Sequence, residues 1–339
     1  MKRSILLFGL FFLTISAYGQ NTLIVDNTGS APTGDHIYTN LQAAIDAAQA
    51  GDVIQVMPSP TSYGNGIFDI NTEGLTLFGA GYLPENGNIS EVGNITIRGD
   101  NIRLSGFRIS FLDIDSESAS DKSSNIVIEN SEITGLQVFN SSNIVFNSCF
   151  LNPTVSAGSP DFHSSSDGIV MSNSIVLSRF DNFNNTEVIN SIFASSNGIA
   201  GDLSGNRFTD SIILTTLPST SSSLASNENN HFINNFSLTS LSLGINGNTG
   251  FDNIIDDDAT IETVLEQDGT NWLNEFNPNL PTGSSLIGAA SDGGDLGVFG
   301  GLNPYSRTGQ SLPAITEFIA PLSIKIGTDT EVTIKAKGN

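Results

Sequence analysis

The stretch "SSNIVIENSEI" (Ser123–Ile133) is followed closely by "SSNIVFNSCFL" (Ser141–Leu151), nearly the same phrase written again. Each alternates Ile, Val or Phe with polar residues, the period of a half-buried strand. Each then meets Asn-Ser. The pair recurs at Asn130-Ser131, Asn147-Ser148, Asn173-Ser174 and Asn190-Ser191, and Asp210-Ser211 and Asn234-Asn235 continue it. The steps are 17, 26, 17, 20 and 24 residues. An apolar residue stands two places after each Ser, at Ile133, Phe150, Val176, Phe193 and Ile213. Upstream, "GLTLFG", "NITIRG" and "NIRLSG" put Gly79, Gly99 and Gly106 in the Asn place. Gly and Asn accept a left-handed backbone at least cost. Each unit is therefore expected to make the same sharp turn.

A repeat of this length, carrying several short strands, is a solenoid coil. Parallel strands then stack coil on coil, about 4.8 Å apart, with Ile, Val and Phe filling the interior. Asn130 and Asn147 are expected to be rungs of a hydrogen-bonded asparagine ladder. The Ser-Ser-Asn spacing is 18 but the Asn-Ser spacing is 17, which predicts a bulge before the turn. One helix is expected, at Thr39–Ala50. Leu41, Ala44, Ile45 and Ala48 share a face, Thr39 or Asn40 caps it, and Gly51 ends it.

These features resemble the secreted right-handed parallel β-helix proteins of the pectin-lyase-like superfamily. The opening "YTNLQAAIDAAQAGDVIQVMPSPTSY", the Asn-marked coils and the closing "FNPNLPTGSSLIGAASDGGDLGVFGGLNPY" carry the resemblance, over about Thr22–Tyr305. It implies an all-β, right-handed parallel β-helix with an N-terminal capping helix and a short C-terminal β tail. It does not choose an activity, because one such fold hosts lyases, hydrolases, esterases and adhesins.

The expected organisation is a signal peptide at 1–19, the β-helix at 20–310 and a tail or cap at 311–339. Lys2 and Arg3, the apolar Ile5–Ile15 and the small residues of Ala17-Tyr18-Gly19 are the signal pattern. Cleavage before Gln20 implies a secreted, periplasmic or cell-surface protein. The formal charge is −23, or −25 once Lys2 and Arg3 are removed. Such a surface disfavours nucleic acid and anionic membranes. A monomer is expected, with a polysaccharide as the partner. Cys149, the single cysteine, excludes an internal disulfide and reads as a small core residue.

Long coils place loops on one face of a solenoid. Three are expected, at about Phe111–Ser124, Asn152–Asp167 and Thr215–His231. In the first, Asp113, Asp115, Glu117 and Asp121 are candidate calcium ligands, with a solvated acidic loop as the alternative. No other cofactor is evident. In the second, Asp161, His163 and Asp167 fall within seven residues and are candidates for acid–base hydrolysis. The superfamily's hydrolase set is incomplete, with no Asp-Asp pair in an equivalent coil, no Gly-His-Gly and no later Arg-x-Lys. The paired aspartates of the methylesterases are missing too. Arg103 and Arg108 are expected to pair with Asp113 or Asp115, and His36 and His231 read as isolated loop residues. Trp272 is expected beneath the closing turns or against a sugar.

Two functions follow. One is a secreted, acidic, non-catalytic β-helix that binds glycan or forms a surface layer. The other is a glycoside hydrolase or lyase with its site in a groove walled by 111–124 and 152–167.

Overall fold

The computed structural model describes residues 20–29, 34–82, 89–116, 120, 122–151, 161–177, 180, 182–194, 202–215, 217, 227–266 and 277–305, with strands Ala314–Ile319 and Thr333–Lys337. The signal-peptide reading, Glu117, Asp121 and Trp272 lie outside them.

Strands of successive coils pair in parallel. One sheet runs from Ile37–Tyr38 and Thr22–Val25 through Ser123–Glu129, Ser141–Asn147 and Ile169–Ser172 to Thr249–Phe251. We call it the first face. A second sheet begins with Ile67–Ile70, Glu91–Ile97, Arg108–Asp115 and Glu132–Phe139. At Glu132–Phe139 it forks. Glu132 and Ile133 pair with Phe150 and Leu151, whereas Gln137 and Val138 pair with Asp161 and Phe162. Two short strands, Phe150–Leu151 and Asp161–Phe162, thus stack on the one long strand. Later coils keep both limbs, which form the second face (Phe150–Leu151 to Ile254–Ile255) and the third face (Asp161–Phe162 to Asn227–Glu228). Before the fork the long strands span both limbs, so that Asp69–Ile70, Thr96–Ile97, Phe111–Asp115 and Gly135–Phe139 continue the third face in register, and the stacked parallel coils make a parallel β-helix.

The interior is apolar and close-packed. Phe146, Phe162, Phe183, Phe208 and Phe232 stand in a column, with successive ring centroids 5.6, 5.2, 5.9 and 5.2 Å apart. The chain's abundant Phe is the filling of this core.

Six of the expected left-handed turns are present, and one more is displaced by a residue. Gly106, Asn130, Asn173, Asn190, Asp210 and Asn234 all have positive φ. Gly79 and Gly99 do not. Nor does Asn147, whose neighbour Ser148 takes the turn at φ 53°. Strand pairing explains it. Ser141 pairs with Ser123 and Asn147 with Glu129, an unbroken offset, so the expected bulge is absent. Asn147 ends a strand, and Ser148 is the true counterpart of Asn130.

The ladder belongs to the residue after the turn. Phe107 N–H donates to Ser131 Oγ at 3.2 Å, and Cys149 N–H donates to Ser174 Oγ at 3.1 Å. Ser174 and Ser191 donate onward to Ser191 and Ser211 at 3.2 Å each. Asn235 and Asn253 finish the series at 2.9 and 3.0 Å. A second ladder links Thr186, Asn206, Asn230 and Asn248. Each rung satisfies a buried amide that the coil's corner removes from strand pairing.

The marker asparagines have another task. Asn173 Nδ2 donates to Val298 O and Gly300 O at 3.0 and 2.8 Å, and Asn234 Nδ2 donates to Ala289 O at 2.8 Å. They hold a C-terminal segment that does not close the solenoid in line. It runs back along the outside of the second face, where Leu286, Leu296 and Val298 bury Ile175, Ile192, Ile212 and Phe236. The Tyr305 hydroxyl meets that of Tyr82.

The helix is shorter than expected, Leu41–Ala47, capped by Asn40 Oδ1 accepting Ala43 N–H at 3.0 Å. Asp52 stops it early. Its carboxylate accepts Gln49 N–H and Asn21 N–H, each at 2.9 Å.

Candidate functional site

The outer surface of the third face gathers most of the residues that the sequence singles out. Strand alternation explains how. In Arg108–Asp115, Leu112 and Ile114 point inward, which turns Phe111, Asp113 and Asp115 outward. Phe111–Asp115 is therefore strand, not the expected loop. Register then builds a column across coils: Asp69 beside Thr96, Thr96 beside Asp113, Asp113 beside Gln137, Gln137 beside Asp161, and Asp161 beside Asn182. Asp202 follows, its N–H donating to Asn182 Oδ1 at 3.3 Å.

Carboxylates and neutral side chains alternate along this column. Like charges directly opposite each other repel, and each interposed neutral residue separates two carboxylates by two rungs, about 10 Å. Asn182 Nδ2 also donates to Asp161 Oδ1 at 3.1 Å. The next outward column holds Asp115 beside Phe139. The His163 ring stacks on Phe139, centroids 4.6 Å apart and planes 18° apart. His163 Nδ1 accepts Ser165 N–H at 3.2 Å and contacts Ser165 Oγ at 2.9 Å. That places a neutral ring's proton on Nε2. Phe139 and His163 are both half-buried and form a flat aromatic step beside the polar column. Neither Phe139 nor Gln137 is marked by the sequence; only the register shows Gln137 between Asp113 and Asp161 and Phe139 beside Asp115.

Asp113 is partly buried and beside Asp115. Burial first, and the Asp115 charge second, raise its carboxyl above the usual range, while Arg98 works the other way.

The proposed trio of Asp161, His163 and Asp167 is not one constellation. Asp161 and His163 share the third face, but the chain turns at His163–Ser166 and Asp167 lies beyond, bridged to the first face at Ser142. Its carboxylate pairs with Lys122 Nζ at 2.5 Å. The arginine pairings also differ. Arg108 pairs with Glu132 at 2.8 Å and Glu91 at 3.7 Å, its cross-rung neighbours on either side, and Arg103 reaches diagonally to Glu129 at 2.5 Å, two positions beyond its register partner Val127. His231 lies in a strand, its Nδ1 2.7 Å from Thr249 Oγ1.

For calcium, Asp113 and Asp115 supply two carboxylates where six to eight oxygens are needed. Among the described residues no group of three His, Cys, Asp or Glu side chains comes together. The other two candidates, Glu117 and Asp121, lie outside the described residues. An open cavity of about 450 Å³ lies elsewhere, at the first coil, lined by residues including Gln20, Asp35, His36, Tyr38 and Asp52. It meets none of the third-face residues. No described helix is long and apolar enough to cross a membrane.

Fold and surface together define a parallel β-helix with a polar and aromatic outer strip. No protein-family model and no curated protein sequence matches the chain. Solved structures with a similar chain path include a pectate lyase, at 14% identity and TM-score 0.49, covering 82% of this chain and 96% of that one. A pectin methylesterase in complex with a hexasaccharide is 15% identical, with TM-score 0.35 and coverage of 76% and 98%. An alginate lyase from Paenibacillus is 13% identical, with TM-score 0.32 and coverage of 70% and 98%.

Proposed function

We propose that the protein is an exported β-helix that binds a neutral polysaccharide along its third face without cleaving it. The observation that carries this reading is the registered strip itself. Asp69, Asp113, Gln137, Asp161 and Asn182 offer partly exposed acceptors and donors, with Thr96 buried between the first two and the Phe139–His163 step alongside. Carboxylates and amides hydrogen-bond pairs of sugar hydroxyls, and an aromatic face suits sugar C–H groups. A formal charge of −23 argues against polyuronates. The separation of Asp167 from Asp161 and His163 argues against the catalytic trio.

A second reading has one specific support. Asp113, held more readily protonated, and Asp161 lie two rungs apart, about 10 Å. That is near the upper end of the carboxyl separation of inverting glycosidases, roughly 6.5–9.5 Å. Asp113 would then act as the acid and Asp161 as the base.

One experiment separates them. The full chain is incubated with xylan, mannan and mixed-linkage β-glucan, with polygalacturonate and alginate as anionic controls. Retention on a neutral polymer with no new reducing or unsaturated ends is the expected result. Turnover lost in Asp113→Asn would establish the second reading, and failure to bind any neutral polymer would remove the first.

A further inference from the structure

Among the described residues the last coil is open: Thr249–Phe251 and Ile254–Ile255 are the final strands of the first and second faces, with no described strand paired beyond them. Thr249, Ile254 and Asp256 donate their N–H groups back to the previous coil, at Asn230, Asn235 and Ser237. By strand alternation the amides of Gly250 and Ile255 face away from the solenoid. Around them Leu243, Ile245, Phe251, Ile254 and Ile255 are 38–54% exposed. An exposed apolar strand edge is a template for another strand.

The chain also holds two strands in need of a surface. Ala314–Ile319 and Thr333–Lys337 pair antiparallel, which sets Ile315 beside Ala336 and Phe318 beside Ile334. A two-stranded hairpin is marginal on its own in water. We propose that this C-terminal hairpin docks on the last coil of its own chain and caps the solenoid.

Reach permits it. Tyr305 N–H donates to Val298 O, the same carbonyl that accepts Asn173 Nδ2. Tyr305 therefore leaves the body near the coil of Ile175–Val176, four second-face steps short of Ile254–Ile255. Four rungs span about 19 Å. The nine peptide steps from Tyr305 to Ala314 extend to about 30 Å. Charge favours the same partner. The end of the solenoid carries Asp252, Asp256, Asp257 and Asp258, while the hairpin carries Lys335 and Lys337 against the single Glu317, a net positive charge in a chain with 12 basic residues.

The test is amide hydrogen exchange at Gly250 and Ile255, read in the full chain and in full-length Phe318→Asp/Ile334→Asp, with molecular mass followed by light scattering. The substituted strands lie outside the solenoid's own pairing, so the body keeps its fold. Slow exchange in the monomeric wild-type chain, accelerated at least tenfold in the double variant, is expected. Fast exchange in the wild type, or equal protection in both, overturns the proposal. Protection that appears only when the mass doubles also overturns it, because a second copy is then the cover.

Discussion

Asn230 and Asn147 look alike in the sequence but differ in the structure, and Asn→Ala at each separates a ladder rung from a strand end. Asn230 is buried. Its Oδ1 accepts Asn206 N–H at 3.0 Å, and its Nδ2 donates to Leu203 O at 2.8 Å and Asn227 Oδ1 at 3.0 Å. Asn230→Ala strands the Asn206 amide and the Leu203 carbonyl away from water. Each orphaned buried group costs about 1–3 kcal/mol, so the loss is about 2–6 kcal/mol. Asn147 accepts a single bond, from Ser172 Oγ at 2.9 Å, at a half-buried position. Both partners reach solvent when it is lost, and Asn147→Ala costs under about 1 kcal/mol. Equilibrium urea unfolding followed by far-ultraviolet circular dichroism gives both values, compared at unchanged slope. Equal costs, or a larger cost at Asn147, would refute the assignment of the ladder.

Three further outcomes follow. Cys149 fills the rung that Ser131, Ser174, Ser191 and Ser211 fill elsewhere, so Cys149→Ser should change stability by less than about 1 kcal/mol in the same urea assay. Burial pushes its thiol up to about 12, so iodoacetamide should label it only in denaturant; labelling of the folded chain would contradict this. Asp113 binds its proton more tightly folded than unfolded, so its ionisation opposes folding. Asp113→Asn should therefore raise Tm at pH 7, with the gain fading as pH falls through the ordinary carboxyl range near about 4; a gain that persists at pH 3 would contradict this. Asp113 and Asp115 by themselves supply too few oxygens to hold calcium, so adding calcium or a chelator should leave Tm unchanged; a calcium-dependent rise would show that further ligands join them.

The repeat phrase made the fold legible because stacked coils demand the same inward apolar pattern and the same left-handed corner in every unit. Gly106, Asn130, Asn173 and Asn190 were readable as corners for that reason. Asn147 misled because Asn is at home both at a corner and at a strand end, and only pairing with Glu129 distinguishes them. Strand alternation, known once the register is known, placed Asp113 and Asp161 in one column; linear spacing instead grouped Asp161 with Asp167, across a turn. The C-terminal path was not legible. Leu286, Leu296 and Val298 lie in the phrase that resembles a solenoid's close, and the partners that turn it back, Asn173 and Asn234, are more than fifty residues away in sequence.

The claim that the third face is the binding surface is tested most directly by the affinity of Phe139→Ala for the neutral polymer that the wild-type chain retains. Phe139 is half-buried on the outer face and its loss opens no interior cavity, so Tm should hold. The expected result is binding weakened by about tenfold, near 1.4 kcal/mol, with still no product formed. Wild-type affinity in Phe139→Ala, at unchanged Tm, would contradict it.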